Sequence, residues 1–134
     1  MTLVREMIAA HPRPSEIDAE VLARCIDELL TCAQTCVACA DALLAEDDLA
    51  PLRRCIRLCL DCSDVCGTTW RLLSRMTEFV PGTASSLLQS CVTECETCGT
   101  ECQMHAAMGM EHCRVCAQAC EACAAACRDL LSKV

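Results

Sequence analysis

Cysteines recur at helical spacing along most of the chain, and this lattice constrains the fold more than any other feature. Cys55, Cys59, Cys62 and Cys66 step by 4, 3 and 4 residues, and Cys91, Cys95, Cys98 and Cys102 repeat the pattern. Cys113, Cys116, Cys120, Cys123 and Cys127 step by 3, 4, 3 and 4, and Cys25 precedes Cys32, Cys36 and Cys39. Alternating steps of 3 and 4 mark the a and d positions of a heptad, so each set forms one stripe on one helix. A strand would need alternation with a period of 2, which no stretch sustains. Four stripes call for four helices whose striped faces meet at a common axis.

Breakers divide the chain where this reading needs them. Pro12 and Pro14 end a short helix over about 2–10. Ser15, with Asp18 three residues later, reads as a capping box opening a long helix over about 16–45. Glu46-Asp47-Asp48 interrupts it, and Pro51 suits the first turn of a second helix, about 50–78. Val80-Pro81-Gly82 separates that helix from a third, about 84–107, with Thr83 as its cap. Gly109 breaks the chain before a fourth, about 110–132. Connections this short place successive helices side by side and antiparallel. The predicted fold is all-α: an up-down-up-down four-helix bundle with a short N-terminal helix, one domain over residues 1–134.

Folding the stripes antiparallel also aligns the cysteines in layers. Cys39, Cys55, Cys102 and Cys113 fall near one end, followed by Cys36, Cys59, Cys98 and Cys116, then Cys32, Cys62, Cys95 and Cys120. The next layer has Cys66, Cys91 and Cys123, with Leu29 where the first helix would supply a fourth cysteine. Cys25 and Cys127 remain at the far end, among Leu residues and Trp70. The expected interior is a tube of sulphur.

Composition narrows the function. Seventeen of 134 residues are cysteine, a density above the roughly 8–10% typical of cysteine-dedicated chains, while there is one Trp, one Phe and no Tyr. Free cysteine is a common core residue, but a core this poor in large side chains would be underpacked if the thiols only filled space. Helical i,i+4 cysteines have Cβ atoms about 5–6 Å apart, beyond the roughly 3.5–4.5 Å of a disulfide. The number of cysteines is also odd. The N-terminal stretch, with Arg5 and Glu6, has no apolar core or cleavage site of a secretory signal, so a cytoplasmic location with reduced thiols is expected. No apolar run reaches the roughly 18 residues of a membrane span. Net charge is −8 with no basic patch, so neither nucleic acid nor membrane is an expected partner. With no Ser/His/Asp set, glycine-rich phosphate loop or carboxylate pair, and with its CxxC steps inside helices rather than at a helix start, the chain reads as a non-enzyme.

Thiolates unable to bridge each other can bridge through a metal. Sulphur-only ligation selects Cu(I), Zn(II) or iron–sulphur clusters. Zinc takes closed sets of four ligands, whereas these cysteines form an unbroken ladder. Iron–sulphur sites use loop-borne CxxC runs. Charge favours Cu(I), because one Cu(I) per thiolate neutralises a dry core that would otherwise carry a large uncompensated charge. The residues place copper ahead of zinc and leave zinc or mixed-metal buffering open, with an iron–sulphur electron carrier behind both.

At Cys32–Cys36–Cys39, Cys55–Cys59–Cys62–Cys66, Cys91–Cys95–Cys98–Cys102 and Cys113 through Cys127, the chain resembles the cytosolic copper storage proteins of bacteria. The resemblance runs from about residue 16 to 132. It implies multiple Cu(I) ions per chain on Cys25, Cys32, Cys36, Cys39, Cys55, Cys59, Cys62, Cys66, Cys91, Cys95, Cys98, Cys102, Cys113, Cys116, Cys120, Cys123 and Cys127, protection from copper toxicity, and a homotetramer. A copper chaperone is a candidate donor. Leu29 departs from the repeat and should cost one ligand. The family also carries histidines at the mouth of the tube. His105 follows Cys102 by three residues and best matches that role. His112, beside Cys113, and Met108, with Met104 and Met110 nearby, are secondary candidates.

Overall fold

The computed structural model describes residues 2–134. Among them are five α-helices: α1 Thr2–Ala10, α2 Ala19–Leu44, α3 Arg53–Leu73, α4 Pro81–Ala106 and α5 Glu111–Leu131, with a single 3₁₀ turn, Ala50–Leu52, leading into α3. No described residue lies in a strand. The four long helices form a square in which α2 and α4 each pack on α3 and α5, while α1 lies on α2. This is the antiparallel four-helix bundle with a short N-terminal helix that the cysteine stripes require. No helix is long and apolar enough to cross a membrane.

Helix ends differ from the spacing argument in three places, each with a local cause. Ser15 does not open α2: its Oγ accepts from the Ile17 N–H in a turn that follows the two prolines. Asp18 is the cap instead, its Oδ1 accepting from Glu20 N–H at 2.9 Å and Val21 N–H at 3.1 Å, and the helix starts at Ala19 rather than near 16. The second long helix stops at Leu73, short of 78. There the Ser74 N–H and Oγ both turn to the Trp70 carbonyl, and Glu78 further on takes a positive φ of 54°. Pro81 is itself the first residue of α4, its ring supplying a helical φ without needing a hydrogen bond, so Thr83 lies inside the helix and caps nothing. Gly109, with φ 96°, makes the break before α5.

The core follows from the stripes. All seventeen cysteines are buried. Leu22, Leu29, Leu73, Leu88 and Leu130 are fully buried, and the antiparallel order brings them together with Cys25 and Cys127 at one end. That end is closed by hydrocarbon. At the opposite end, the α2–α3 and α4–α5 connections meet. Small residues let the helices approach closely enough for sulphur to fill the axis. A Cβ added at Gly99 would lie 3.3 Å from the Cys120 Cβ, so α4 and α5 are in near contact there. Replacing Asp18 by Ala should lower stability by about 1 kcal/mol, and Ser15→Ala should cost clearly less. Urea unfolding of the reduced chain followed by helical circular dichroism tests the order; equal losses would return the cap to Ser15.

Candidate metal centre

Four inward stripes bring the sulphurs into contact along the axis. At the end where the α2–α3 and α4–α5 connections meet, Cys55 and Cys102 lie 3.7 Å apart and Cys39 and Cys113 3.9 Å apart. Next come Cys36 and Cys116 at 3.7 Å and Cys59 and Cys98 at 3.7 Å. Cys32, Cys62 and Cys95 form a triangle with sides of 3.8–3.9 Å, and Cys120 joins Cys32 at 4.0 Å. Cys66 and Cys123 meet at 4.0 Å, and Cys25 and Cys127 close the series at 3.9 Å. The first three layers read from the heptad register, and the Cys66–Cys123 and Cys25–Cys127 pairs, are therefore present as sulphur contacts. They are also joined lengthwise, through Cys32–Cys36 at 3.9 Å, Cys59–Cys102 at 3.8 Å and Cys66–Cys95 at 3.8 Å.

Sulphurs at this spacing form overlapping sets whose members lie within 4.8 Å of one another: Cys32, Cys62, Cys66 and Cys95; Cys32, Cys36, Cys62 and Cys120; Cys36, Cys98, Cys116 and Cys120; Cys39, Cys59, Cys102 and Cys116. Cys32, Cys36, Cys62, Cys116 and Cys120 each belong to two of these sets. The sharing decides the chemistry more than the distances do, because touching sulphurs suit several soft metals. Separate tetrahedral sites take four ligands each, and overlapping sets do not supply four apiece. A metal that accepts few ligands and bridging thiolates can occupy all of them at once.

One layer departs from the register. Cys91 turns to the Thr69 hydroxyl, with Sγ 3.1 Å from Oγ1, and Leu29 fills the α2 position beside it. Thr69 is fully buried on the α3 stripe, three residues after Cys66. Extending the 3, 4 steps of Cys59, Cys62 and Cys66 by one more step of 3 marks it.

At the same end as the Cys39–Cys113 pair, the two histidines stand differently from their sequence ranking. His112, a secondary candidate from spacing, is drawn into the sulphurs: its Nδ1 is 3.4 Å from Cys39 Sγ and 3.5 Å from Cys113 Sγ, forming a three-ligand set with them. His105 is 3% exposed and continues the α4 stripe. Its Nε2 lies 3.0 Å from Glu101 Oε2, and its buried Nδ1 has no hydrogen-bond partner among the described residues. Met108 is 70% exposed and Met104 also faces outward, whereas Met110 packs partly against the core. The methionines thus do not gather on the sulphurs as His112 does.

Touching thiols do not ionise alike. Cys55 is lowered, because hydrogen bonds from Cys102 and then Cys59 stabilise its thiolate. Cys102 is raised through its hydrogen bonds with Cys116, Cys39, Cys55 and Cys59. Burial pushes the Cys113 thiol up, and the adjacent Cys39 and Cys55 add to the effect. A raised thiol holds its proton in the folded state, so its contribution to stability is complete below the ordinary value of 9.0 and is lost as pH climbs past it. The empty, reduced protein should therefore melt at progressively lower temperature above pH 9. Anaerobic thermal melts across pH 7–10.5 check this, and a flat or rising midpoint would contradict it.

With this geometry in view, comparison with known proteins is specific. The family model for copper storage proteins matches residues 18–132. Among solved structures, the copper storage protein Ccsp from Streptomyces lividans loaded with 10 copper equivalents is 47% identical, with a TM-score of 0.95 over 98% of this chain and 99% of that one. A variant of Ccsp in which a histidine is replaced by alanine is 51% identical over 87% of this chain and 97% of that one, with a TM-score of 0.85. A structure of the cytosolic copper storage protein from the same organism with five coppers is 51% identical, covering 86% of this chain and 95% of that one, with a TM-score of 0.83. Comparison with curated proteins gave no match.

Proposed function

The chain belongs to the copper storage protein family, and on that premise we propose that it holds Cu(I) on the seventeen inward cysteines, with His105 and His112 as ligands at the open end. Copper is the cargo of the family, and storage rather than catalysis is the reading that the interior supports. The observation that carries it is the run of buried, touching sulphurs from the Cys55–Cys102 pair to the Cys66–Cys123 pair, with Cys39–Cys113 and Cys25–Cys127 paired at its two ends. Each ion that binds a thiol displaces its proton, so an S–H bond is exchanged for an S–Cu bond and the core stays near neutral. A buried thiolate core without those cations would pay several kcal/mol per uncompensated charge. Bridging lets one sulphur serve two ions, which the overlapping sets demand.

The open end receives the metal in this reading. Cys39, Cys113 and the His112 Nδ1 form a ready set of soft and borderline donors there, and the net charge of −8 raises the local cation concentration. The opposite end is sealed by leucine and offers the ion no route. Since the Streptomyces lividans protein is described as cytosolic, a cytoplasmic location with reduced thiols is the matching assignment here, and a copper chaperone is the matching donor. The same reading takes the chain as one bundle domain that assembles as a homotetramer. The apolar side chains Val37 and Leu44 on α2 and Leu60 on α3 are exposed on the outer faces and favour association with further copies.

Anaerobic titration of the reduced apo-protein with Cu(I) against a competing chelator tests the reading. Uptake approaching one ion per cysteine is expected, with about one proton released for each ion. Saturation at one to four ions, or displacement of the bound copper by equimolar Zn(II), would replace storage of copper by a small regulatory site or by zinc buffering. Leu29→Cys restores the missing ligand of its layer and should raise the capacity, measured by the same titration. A capacity at or below that of the native chain would mean the closed end does not take copper.

A further inference from the structure

His105 does not stand alone at the mouth of the tube. Its Nε2 lies 3.0 Å from Glu101 Oε2, one helical turn earlier on α4. The other carboxylate oxygen, Oε1, accepts from Arg54 Nε at 3.2 Å across the α3–α4 boundary. Arg54 immediately precedes Cys55, and Glu101 immediately precedes Cys102, the touching pair of the first layer. A polar chain therefore runs from the surface, where Arg54 is largely exposed, through a nearly buried Glu101 to a buried imidazole.

A neutral imidazole donates through one nitrogen and offers a lone pair on the other. Accepting a hydrogen bond is all that an ionised carboxylate can do, so Glu101 takes the Nε2–H and leaves the lone pair on Nδ1. That nitrogen is buried and unpartnered among the described residues, a costly state for a polar atom unless a ligand meets it. On the reading that the open end takes up Cu(I), we propose that Glu101, anchored by Arg54, is a positioning residue that holds His105 in the Nε2–H tautomer with Nδ1 directed at the first thiol layer. Carboxylates that orient metal-binding imidazoles in this way raise ligand basicity and fix ring direction. The anchor has its own function: without Arg54, Glu101 is free to rotate toward solvent and release the ring. His112 differs, because its Nδ1 already touches two sulphurs while its Nε2 is 3.8 Å from Glu46 Oε2, beyond hydrogen-bond range. The two histidines of the mouth are thus held by different means, His112 by the sulphurs themselves and His105 by a carboxylate behind it.

The test uses the full chain, reduced and free of copper, with nitrogen-15 NMR reading the His105 tautomer. Stopped-flow transfer from a Cu(I)–bicinchoninate complex reads the first phase of uptake. The native chain should show the Nε2–H tautomer. Glu101→Ala should mix the tautomers and slow the first phase about tenfold. Glu101→Gln, whose amide oxygen still accepts from Nε2–H, should recover most of both. Arg54→Ala, at an exposed position that leaves the core untouched, should change both in the same direction by less. A native Nδ1–H tautomer overturns the proposal. So does a Glu101→Ala chain with native tautomer and native rate, or one slowed with its tautomer unchanged, which would make Glu101 a mere attractor of cations. An unchanged Arg54→Ala overturns the anchor. The tautomer is read without copper, so it decides the positioning role even if the native chain saturates at a few ions and the storage reading fails.

Discussion

Everything in this molecule depends on sulphur meeting sulphur at the bundle axis. Contacts of 3.7–4.0 Å between thiols on different helices replace the leucine and phenylalanine interdigitation that normally holds a four-helix bundle together. A thiol is small and its burial contributes less than that of a large aliphatic side chain, so large apolar burial is concentrated at the two ends of the bundle. Leucines seal the end near Cys25 and Cys127, and Leu43 and Leu52 are buried near the other. The sparing use of large residues is the condition for having room on the axis at all. Gly99, in near contact with Cys120, shows how little space separates α4 from α5.

The same arrangement explains why the interior suits copper better than zinc. Discrete tetrahedral sites would require the sulphurs to divide into separate fours, and the sets found here share their members. Shared ligands favour bridging and low coordination number, and the charge of one Cu(I) per thiolate keeps a dry core near neutral. The bundle is also polar in function: donors other than thiol gather at one end, while hydrocarbon closes the other.

Much of this was legible in the sequence because a heptad stripe determines both which residues face inward and at what height. Cys39 against Cys113, Cys36 against Cys116 and Cys25 against Cys127 follow from antiparallel register alone, and the contacts are there. Helix ends were less legible, since they depend on competition between neighbouring caps: Asp18 won over Ser15, and the Ser74 hydroxyl helped end α3 early. The mouth was read only in outline. His105 was found because it continues a stripe, but its partner Glu101 lies off that stripe, and Arg54 reaches it from another helix. For His112, adjacency to Cys113 in sequence says nothing of the Cys39 sulphur that α2 brings against it. Thr69 continues the α3 stripe one step past Cys66, but a cysteine repeat does not mark a hydroxyl.

The most direct measurement is a crystal structure of the chain fully loaded with Cu(I), with copper located by its anomalous scattering. The account predicts a line of copper sites inside the bundle from the Cys39–Cys113 layer to the Cys25–Cys127 pair, every ion bonded to sulphur and the helices in their present positions. Copper confined to the mouth, or bound to carboxylates on the outer surface with the inner thiols empty, would contradict it.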